Sequence, residues 1–369
     1  MLSSETEIEL RPRRLANGTA SRVKTVSSLI LRTAAEEQEM LFDSFNRKIK
    51  DLRVSVTDRC NFRCFYCDPD PAPCTSNDPD LLTFDEIHSI CEVFVSLGIE
   101  KIRLTGGEPM ARKGLGVLIA QLACLKPLGL QELAMITNGS SFANKAAQLR
   151  SSGLNRITFS LDSLKPGTFR SITGSDKLSD VLDSIEAARS AGYPNIKVNA
   201  VIIRGRNDDE IVDLARFARR NSLTVRFIEF MPLDSGHMWD RKHLVSAAEI
   251  REKINSAFPI ILINQSRRGE TSWRYRFADG TSGEIGLIAP VTNAFCGDCS
   301  RIRLTADGHI RTCLFSTEEY DVRRLLRSGG SRTEVADLIH FAVARKTSGH
   351  TIGSPTFEYS SRSMSSIGG

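Results

Sequence analysis

From Leu52 onward the chain alternates strand-like with helix-like segments, and this restricts its fold more than any other feature. Residues 52–57, 101–105, 132–137, 156–161, 196–203 and 225–230 are rich in β-branched side chains and end near turn or polar residues, as strands do. Helical patterns lie between them. The clearest starts at Thr83, with Glu86 three positions on, a capping box leading into Ile87, Ile90, Val93 and Phe94. Six such units predict an α/β fold with a parallel sheet, which right-handed crossovers curl toward an open or closed barrel.

Alternation along the strands assigns faces. Leu52, Val54 and Val56 share one side of the first strand and Arg53, Ser55 and Thr57 the other; in the second, Arg103 and Thr105 oppose Ile102 and Leu104. A structural barrel core is packed with Val, Ile and Leu. Arginines on the inner face therefore point to a binding cavity, with its chemistry at the C-terminal ends of the strands. The alternative is that these arginines face solvent. After about residue 262 the pattern changes: 273–277, 286–290 and 301–305 read as shorter strands, and Ala306-Asp307-Gly308 as a hairpin turn leading into 309–312. The expected division is an extension over 1–44, a core domain over 45–262 and a C-terminal region over 263–369.

A chain of 369 residues buries a core without disulfide staples, so its nine cysteines need another purpose. Their odd number, with six confined to two short segments, suits thiolates holding metal in a reducing compartment. The net charge of +5 comes without the dense basic tract of a nucleic-acid binder, and suits a small anionic substrate in a cleft. No apolar run reaches the ~18 residues of a membrane span. Residues 11–35 carry six basic and no acidic residues and fit part of an organelle presequence, whereas Glu5, Glu7 and Glu9 ahead of them are atypical of one. Residues 1–44 read as a poorly ordered extension.

Cys60, Cys64 and Cys67 form a C-x3-C-x2-C run directly after the first strand. Three thiolates on one loop can hold three irons of a [4Fe–4S] cluster and leave the fourth open to a ligand; the alternative is zinc with a distant fourth ligand. Thr105-Gly106-Gly107-Glu108-Pro109 follows the second strand, where two glycines let the backbone approach a ligand and Glu108 can accept from an ammonium. Cys296, Cys299 and Cys313 make a second set of three, with the hairpin returning Cys313 to the pair. Here zinc is a stronger rival, because a C-x2-C knuckle beside a hairpin is also a zinc-ribbon pattern. Arg301 and Arg303 lie on one face of a short strand, where two guanidinium forks suit a phosphate-rich ligand, or an exposed edge. Cys91 and Cys124 fit apolar helix positions and read as core, while Cys74 lies near the first run.

The first run, with Tyr66 before its third cysteine, resembles the radical S-adenosylmethionine superfamily. Together with the second cysteine group, the Arg-x-Arg pair and the terminal Ile367-Gly368-Gly369, the chain from about Phe45 onward resembles the GTP 3′,8-cyclases of molybdenum cofactor biosynthesis. The resemblance implies an incomplete (β/α)6 TIM-like barrel with a C-terminal region carrying a second iron–sulfur cluster. It gives Cys60, Cys64 and Cys67 to a radical-generating [4Fe–4S] cluster, and Cys296, Cys299 and Cys313 to a second [4Fe–4S] cluster whose open iron meets guanine. It places S-adenosylmethionine against Tyr66, Gly107, Ser160 and Met231. It places GTP against Arg53, Arg103, Thr137, Lys197, Arg301, Ile302 and Arg303, with Arg301 and Arg303 orienting the ribose.

The implied reaction is hydrogen abstraction from C3′ of GTP by a 5′-deoxyadenosyl radical, then attack on C8, giving (8S)-3′,8-cyclo-7,8-dihydroguanosine 5′-triphosphate. An electron donor, a downstream cyclic pyranopterin monophosphate synthase and room for a homodimer are implied with it. So is the compartment: cytoplasm in a bacterium, mitochondrial matrix in a eukaryote. The glycine tail is expected to reach the active site. The chain departs from the family after Cys67, where Met-Pro gives way to Asp68-Pro69, at Ser300, and in a Ser-rich tail before Gly368. The competing readings are a radical S-adenosylmethionine enzyme acting on a peptide or another small molecule, and a zinc-stabilised binding protein.

Overall fold

The sheet begins at Asp51, where the chain enters β1 (Asp51–Ser55) beside β2 (Lys101–Thr105). A computed structural model describes residues 40–68, 80–233, 239–263, 269–360 and 362–368. The readings of residues 1–39, of Cys74 and its flanking residues 69–79, and of Gly369 lie outside the described residues. Four further parallel strands follow: β3 (Glu132–Thr137), β4 (Arg156–Ser160), β5 (Lys197–Ile202) and β6 (Thr224–Glu229). All six expected strands form, with boundaries within two residues of the sequence reading. The helix Phe84–Ser96 opens on the expected capping box, in which Glu86 N donates to Thr83 Oγ1 at 3.1 Å and Thr83 N to Glu86 Oε2 at 2.7 Å.

The later strands extend the same sheet at both sides. β7 (Ile260–Leu262), β8 (Trp273–Phe277) and β9 (Glu284–Ile288) join beyond β6, while β10 (Arg301–Leu304), β11 (His309–Arg311) and β12 (Tyr320–Asp321) join beyond β1. The order is β12-β11-β10-β1-β2-β3-β4-β5-β6-β9-β8-β7. Its eight central strands, from β10 to β9, are parallel, and the outer ones antiparallel. This is the curled α/β sheet of a partial TIM barrel.

One face of each central strand packs under helices. Leu52, Val54, Ile102, Leu104, Val198 and Phe227 share a single core with Ile87, Phe94, Leu118, Val181 and Leu214 of the crossover helices. Period-two alternation then turns the intervening residues toward the concave side. Cys91 is buried in that core, as its helix position predicts, but Cys124 is exposed. The helix Leu115–Ala123 ends one residue earlier, so Cys124 caps an outward-facing end instead of continuing the apolar stripe.

Candidate active site

Register sets the site's charge. β1 pairs with β10 so that Arg53 lies opposite Arg303, and with β2 so that Arg53 also lies opposite Arg103. Three guanidiniums thus stand side by side on adjacent strands, facing one cavity that Arg301 and Arg226 also line. Burial, followed by Arg303, Arg301, Arg103 and Arg226, drives Arg53 well below the usual arginine range. Arg226 falls to about 9 through burial, Arg103 and Arg156, and Arg303 to about 9 chiefly through burial and Arg301. The Nε atoms of Arg103 and Arg226 are buried without a hydrogen-bond partner. Such a row is costly when empty and complementary to a polyanion.

The first cysteine loop follows β1 and is held from two sides. Gly107 N donates to Thr57 O at 2.8 Å and Glu108 N to Arg59 O at 2.7 Å. A Cβ on Gly106 would lie 2.3 Å from Thr57 O, and one on Gly107 2.2 Å from Arg59 O. The glycines therefore allow close approach, but to the cysteine loop's own backbone. The Glu108 carboxylate accepts from Thr137 Oγ1 at 2.6 Å, Asn138 N at 2.6 Å and Met110 N at 2.9 Å, anchoring this turn to the end of β3. From the other side, Tyr66 Oη donates to Asp162 Oδ2 at 2.6 Å, just past β4. Burial lifts the Asp162 carboxyl to about 6 against the pull of Tyr66 and Val201 N. Burial and mutual repulsion also raise the Cys64 and Cys67 thiols.

The second cysteine group has the opposite electrostatics. Antiparallel pairing of Arg303 with Arg311, continued two residues, brings Cys313 across from Arg301. The turn forms as predicted, with Gly308 at φ +82° and its N–H on Thr305 O at 3.0 Å. Burial pushes the Cys299 thiol up, but Arg301 and Lys346 outweigh it and hold it at about 6.

The tail returns to the cavity, which Met364 lines. Met364 N donates to Cys67 O at 3.3 Å, and the Ser363 and Ser365 hydroxyls both donate to Asp68 Oδ2. Arg362 pairs with Asp307 at 2.9 Å and Glu319 at 2.8 Å. Gly368 ends this run at φ +81°, where a Cβ would lie 2.7 Å from Thr105 Oγ1 and 2.9 Å from Ser55 Cβ. Its carbonyl accepts from Arg303.

The structure brings Cys60, Cys64, Cys67, Tyr66, Gly107, Ser160 and Met231 to this cavity, together with Arg53, Arg103, Thr137, Arg301, Arg303, Cys296, Cys299 and Cys313. Two residues stand apart. Lys197 does not line the cavity but shares its field: burial, then Arg226, Arg156, Arg103 and Lys101, lowers it to about 6. Ile302 is buried on the opposite face of β10, leaving its backbone as the part that can meet a ligand. Arg226 and Asp162 were missed. Arg226 had a signal, a cation between Val225 and Phe227 in a strand otherwise free of basic residues; Asp162 depends on a contact that only the fold makes.

Three cysteines at each of two positions on one cavity fit two clusters that each keep an open iron. Among the described residues no three His, Cys, Asp or Glu side chains close on one point as a single metal ion requires. A cubane takes one thiolate per iron, so its ligands stand further apart.

Two family models match: "Radical SAM superfamily" over residues 54–218 and "Molybdenum Cofactor Synthesis C" over 223–352. A protein of Streptomyces coelicolor named GTP 3′,8-cyclase is 42% identical over 92% of this chain and 100% of its own. One of Arabidopsis thaliana, named GTP 3′,8-cyclase, mitochondrial, is 41% identical over 90% of this chain and 84% of its own. Among solved structures, Streptococcus suis SuiB bound to precursor peptide SuiA superposes with a TM-score of 0.59 at 12% identity, over 97% of this chain and 84% of that one. Native anSMEcpe with bound AdoMet gives 0.53 at 13%, over 81% of each. At such identities these likenesses concern the fold alone. The sequence relationship is much closer and spans almost the whole chain, and on that ground the chain belongs to the GTP 3′,8-cyclase family.

Proposed function

We propose that this protein converts GTP to (8S)-3′,8-cyclo-7,8-dihydroguanosine 5′-triphosphate, the first step of molybdenum cofactor biosynthesis. The observation that carries this is the row of Arg303, Arg53 and Arg103 lining one cavity together with two three-cysteine groups. A triphosphate satisfies such a row; an uncharged substrate leaves it unpaired.

Residues 45–262 hold Cys60, Cys64 and Cys67 and the S-adenosylmethionine contacts Tyr66, Gly107, Ser160 and Met231; residues 263–369 hold Cys296, Cys299 and Cys313. When bound, the first cluster and S-adenosylmethionine together supply a 5′-deoxyadenosyl radical. The chain's task is to place GTP beneath it. Arg53, Arg103 and Arg303, with Thr137, take the triphosphate in a field that Lys197 shares, while Arg301 and the Ile302 backbone turn the nucleoside so that C3′ faces the first group and the base the second. Burial excludes water, so the carbon radical left at C3′ meets C8 of its own base. Completing the product takes one electron and one proton, the electron from an external one-electron donor.

The product's natural recipient is a cyclic pyranopterin monophosphate synthase. No helix among the described residues is long and apolar enough to cross a membrane. A bacterial chain would work in the cytoplasm, a eukaryotic one in the mitochondrial matrix.

Anaerobic incubation of cluster-loaded protein with GTP, S-adenosylmethionine and a reductant, read by mass spectrometry, tests this. The cyclised nucleotide, methionine and 5′-deoxyadenosine are expected. Cleavage of S-adenosylmethionine without any modified GTP would overturn the assignment.

A further inference from the structure

The segment from Lys346 to His350 carries no motif, yet it touches every stretch that bears a cysteine of the second group. Lys346 is 4% exposed, and its ammonium donates to Arg301 O at 3.0 Å and to Thr312 O. Arg301 lies two residues past Cys299, and Thr312 directly precedes Cys313. The next two carbonyls, of Thr347 and Ser348, accept from Arg47 at 2.6 and 2.8 Å; the same guanidinium donates to Cys296 O at 2.6 Å and is held by Asp43 at 2.6 Å. A Cβ on Gly349 would lie 3.0 Å from Cys296 Cβ, so the segment runs tightly along that ligand.

Burying an ammonium costs several kcal/mol unless its donors and charge are both answered. Two carbonyls answer two of its three donors. The opposite charges facing it are the Cys299 and Cys313 sulfurs, with Arg301 and Arg47 as like charges. A purely structural staple needs no cation in this place. Groups outside the ligand set orient metal ligands, and nearby charge tunes a cluster's potential.

We propose that Lys346, supported by Arg47, is a positioning residue for a cluster on Cys296, Cys299 and Cys313: it holds the Cys299 and Cys313 stretches at ligand spacing, and its buried charge favours the reduced cluster. The inference rests on reading this cysteine group as a cluster site.

The test compares wild type, Lys346→Met and Lys346→Gln as full-length, anaerobically reconstituted proteins. Iron and sulfide are counted, and the second cluster's potential is followed by EPR, using the signal that S-adenosylmethionine leaves unchanged. Lys346→Met removes donors and charge together; it is expected to lose about half of its iron while still cleaving S-adenosylmethionine, which reports a folded first site. Lys346→Gln keeps a donor but no charge; it is expected to retain both clusters with a more negative second potential. Wild-type iron and wild-type potential in both variants overturn the proposal. Wild-type protein binding only one cluster's iron instead overturns the cluster reading beneath it.

Discussion

The Arg303 guanidinium donates to the carbonyl oxygen of Gly368, so one member of the arginine row is held by the tail of the chain. The contact links a cavity-lining charge to a segment sixty-five residues away, whose own seat is the cleft between Ser55 and Thr105. Disturbing the tail therefore disturbs Arg303.

Gly368→Ala tests that link. Its Cβ would meet Thr105 Oγ1 and Ser55 Cβ well inside van der Waals contact, at a φ that side chains resist. Losing one charge-assisted hydrogen bond of ~1.5–3 kcal/mol lowers cyclisation by about one to two orders of magnitude. Cleavage of S-adenosylmethionine should persist. An unchanged ratio of cyclised nucleotide to 5′-deoxyadenosine would separate the tail from the reaction.

Asp68→Ala removes the acceptor shared by Ser363 and Ser365. Asp68, directly after Cys67, and the Ser-rich tail are thus partners. Hydrogen exchange over residues 362–368 is expected to quicken by at least about tenfold, the equivalent of ~1.4 kcal/mol. Exchange at the wild-type rate would mean that Arg362, on Asp307 and Glu319, suffices to hold the tail.

Gly107→Ala should empty the first cysteine group without emptying the second. A Cβ 2.2 Å from Arg59 O must push the Cys60 loop away from the turn. Overpacking of this kind costs ~1–3 kcal/mol or more. Iron should fall by about half and cleavage of S-adenosylmethionine should disappear; full iron and full cleavage would refute the packing argument.

The arginine row predicts ligand-dependent stability. GTP or inorganic triphosphate at a hundredfold excess over Kd adds ~2.7 kcal/mol by linkage, readable as a rise in Tm. Arg103→Met should lose much of that rise, and added salt should weaken what remains. A Tm indifferent to both ligands would remove the triphosphate from this row.

Lys197 gives a pH signature. Burial and then its cationic neighbours lower it from 10.5 to about 6, so between those values the unfolded chain holds a proton that the native protein lacks. Stability of the ligand-free protein therefore rises with pH through that window in respect of this group. A bound triphosphate restores the charge, so binding near pH 7.5 should take up protons, measurable by calorimetry in buffers of different ionisation enthalpy. Lys197→Met should abolish the uptake; wild-type uptake in that variant would assign it elsewhere.

The strands and their inward residues were legible because alternation is local: Arg53 and Arg103 declare their face within five residues. The row they form with Arg303 was not, because it depends on which strand lies beside β1 and in what register. Gly106 and Gly107 were legible as a close approach but not in what they approach, which sits in another loop. Lys346 and Arg47 give no local sign, since hydrogen bonds to carbonyls leave no pattern in side chains. Cys124 misled because an apolar stripe does not say where its helix stops.

The pairing of β1 with β10 has a kinetic side as well. Val54 and Leu304 are partners 250 residues apart, so β1 has one open edge until a distant part of the chain arrives. Contacts this remote form slowly, because the intervening loop must close before they can stabilise anything. The Cys60 loop can therefore fold on β1 and β2 before Cys296, Cys299 and Cys313 dock beside it. The two cysteine groups would then be assembled in order, the first beside a strand edge that the arrival of β10 later covers.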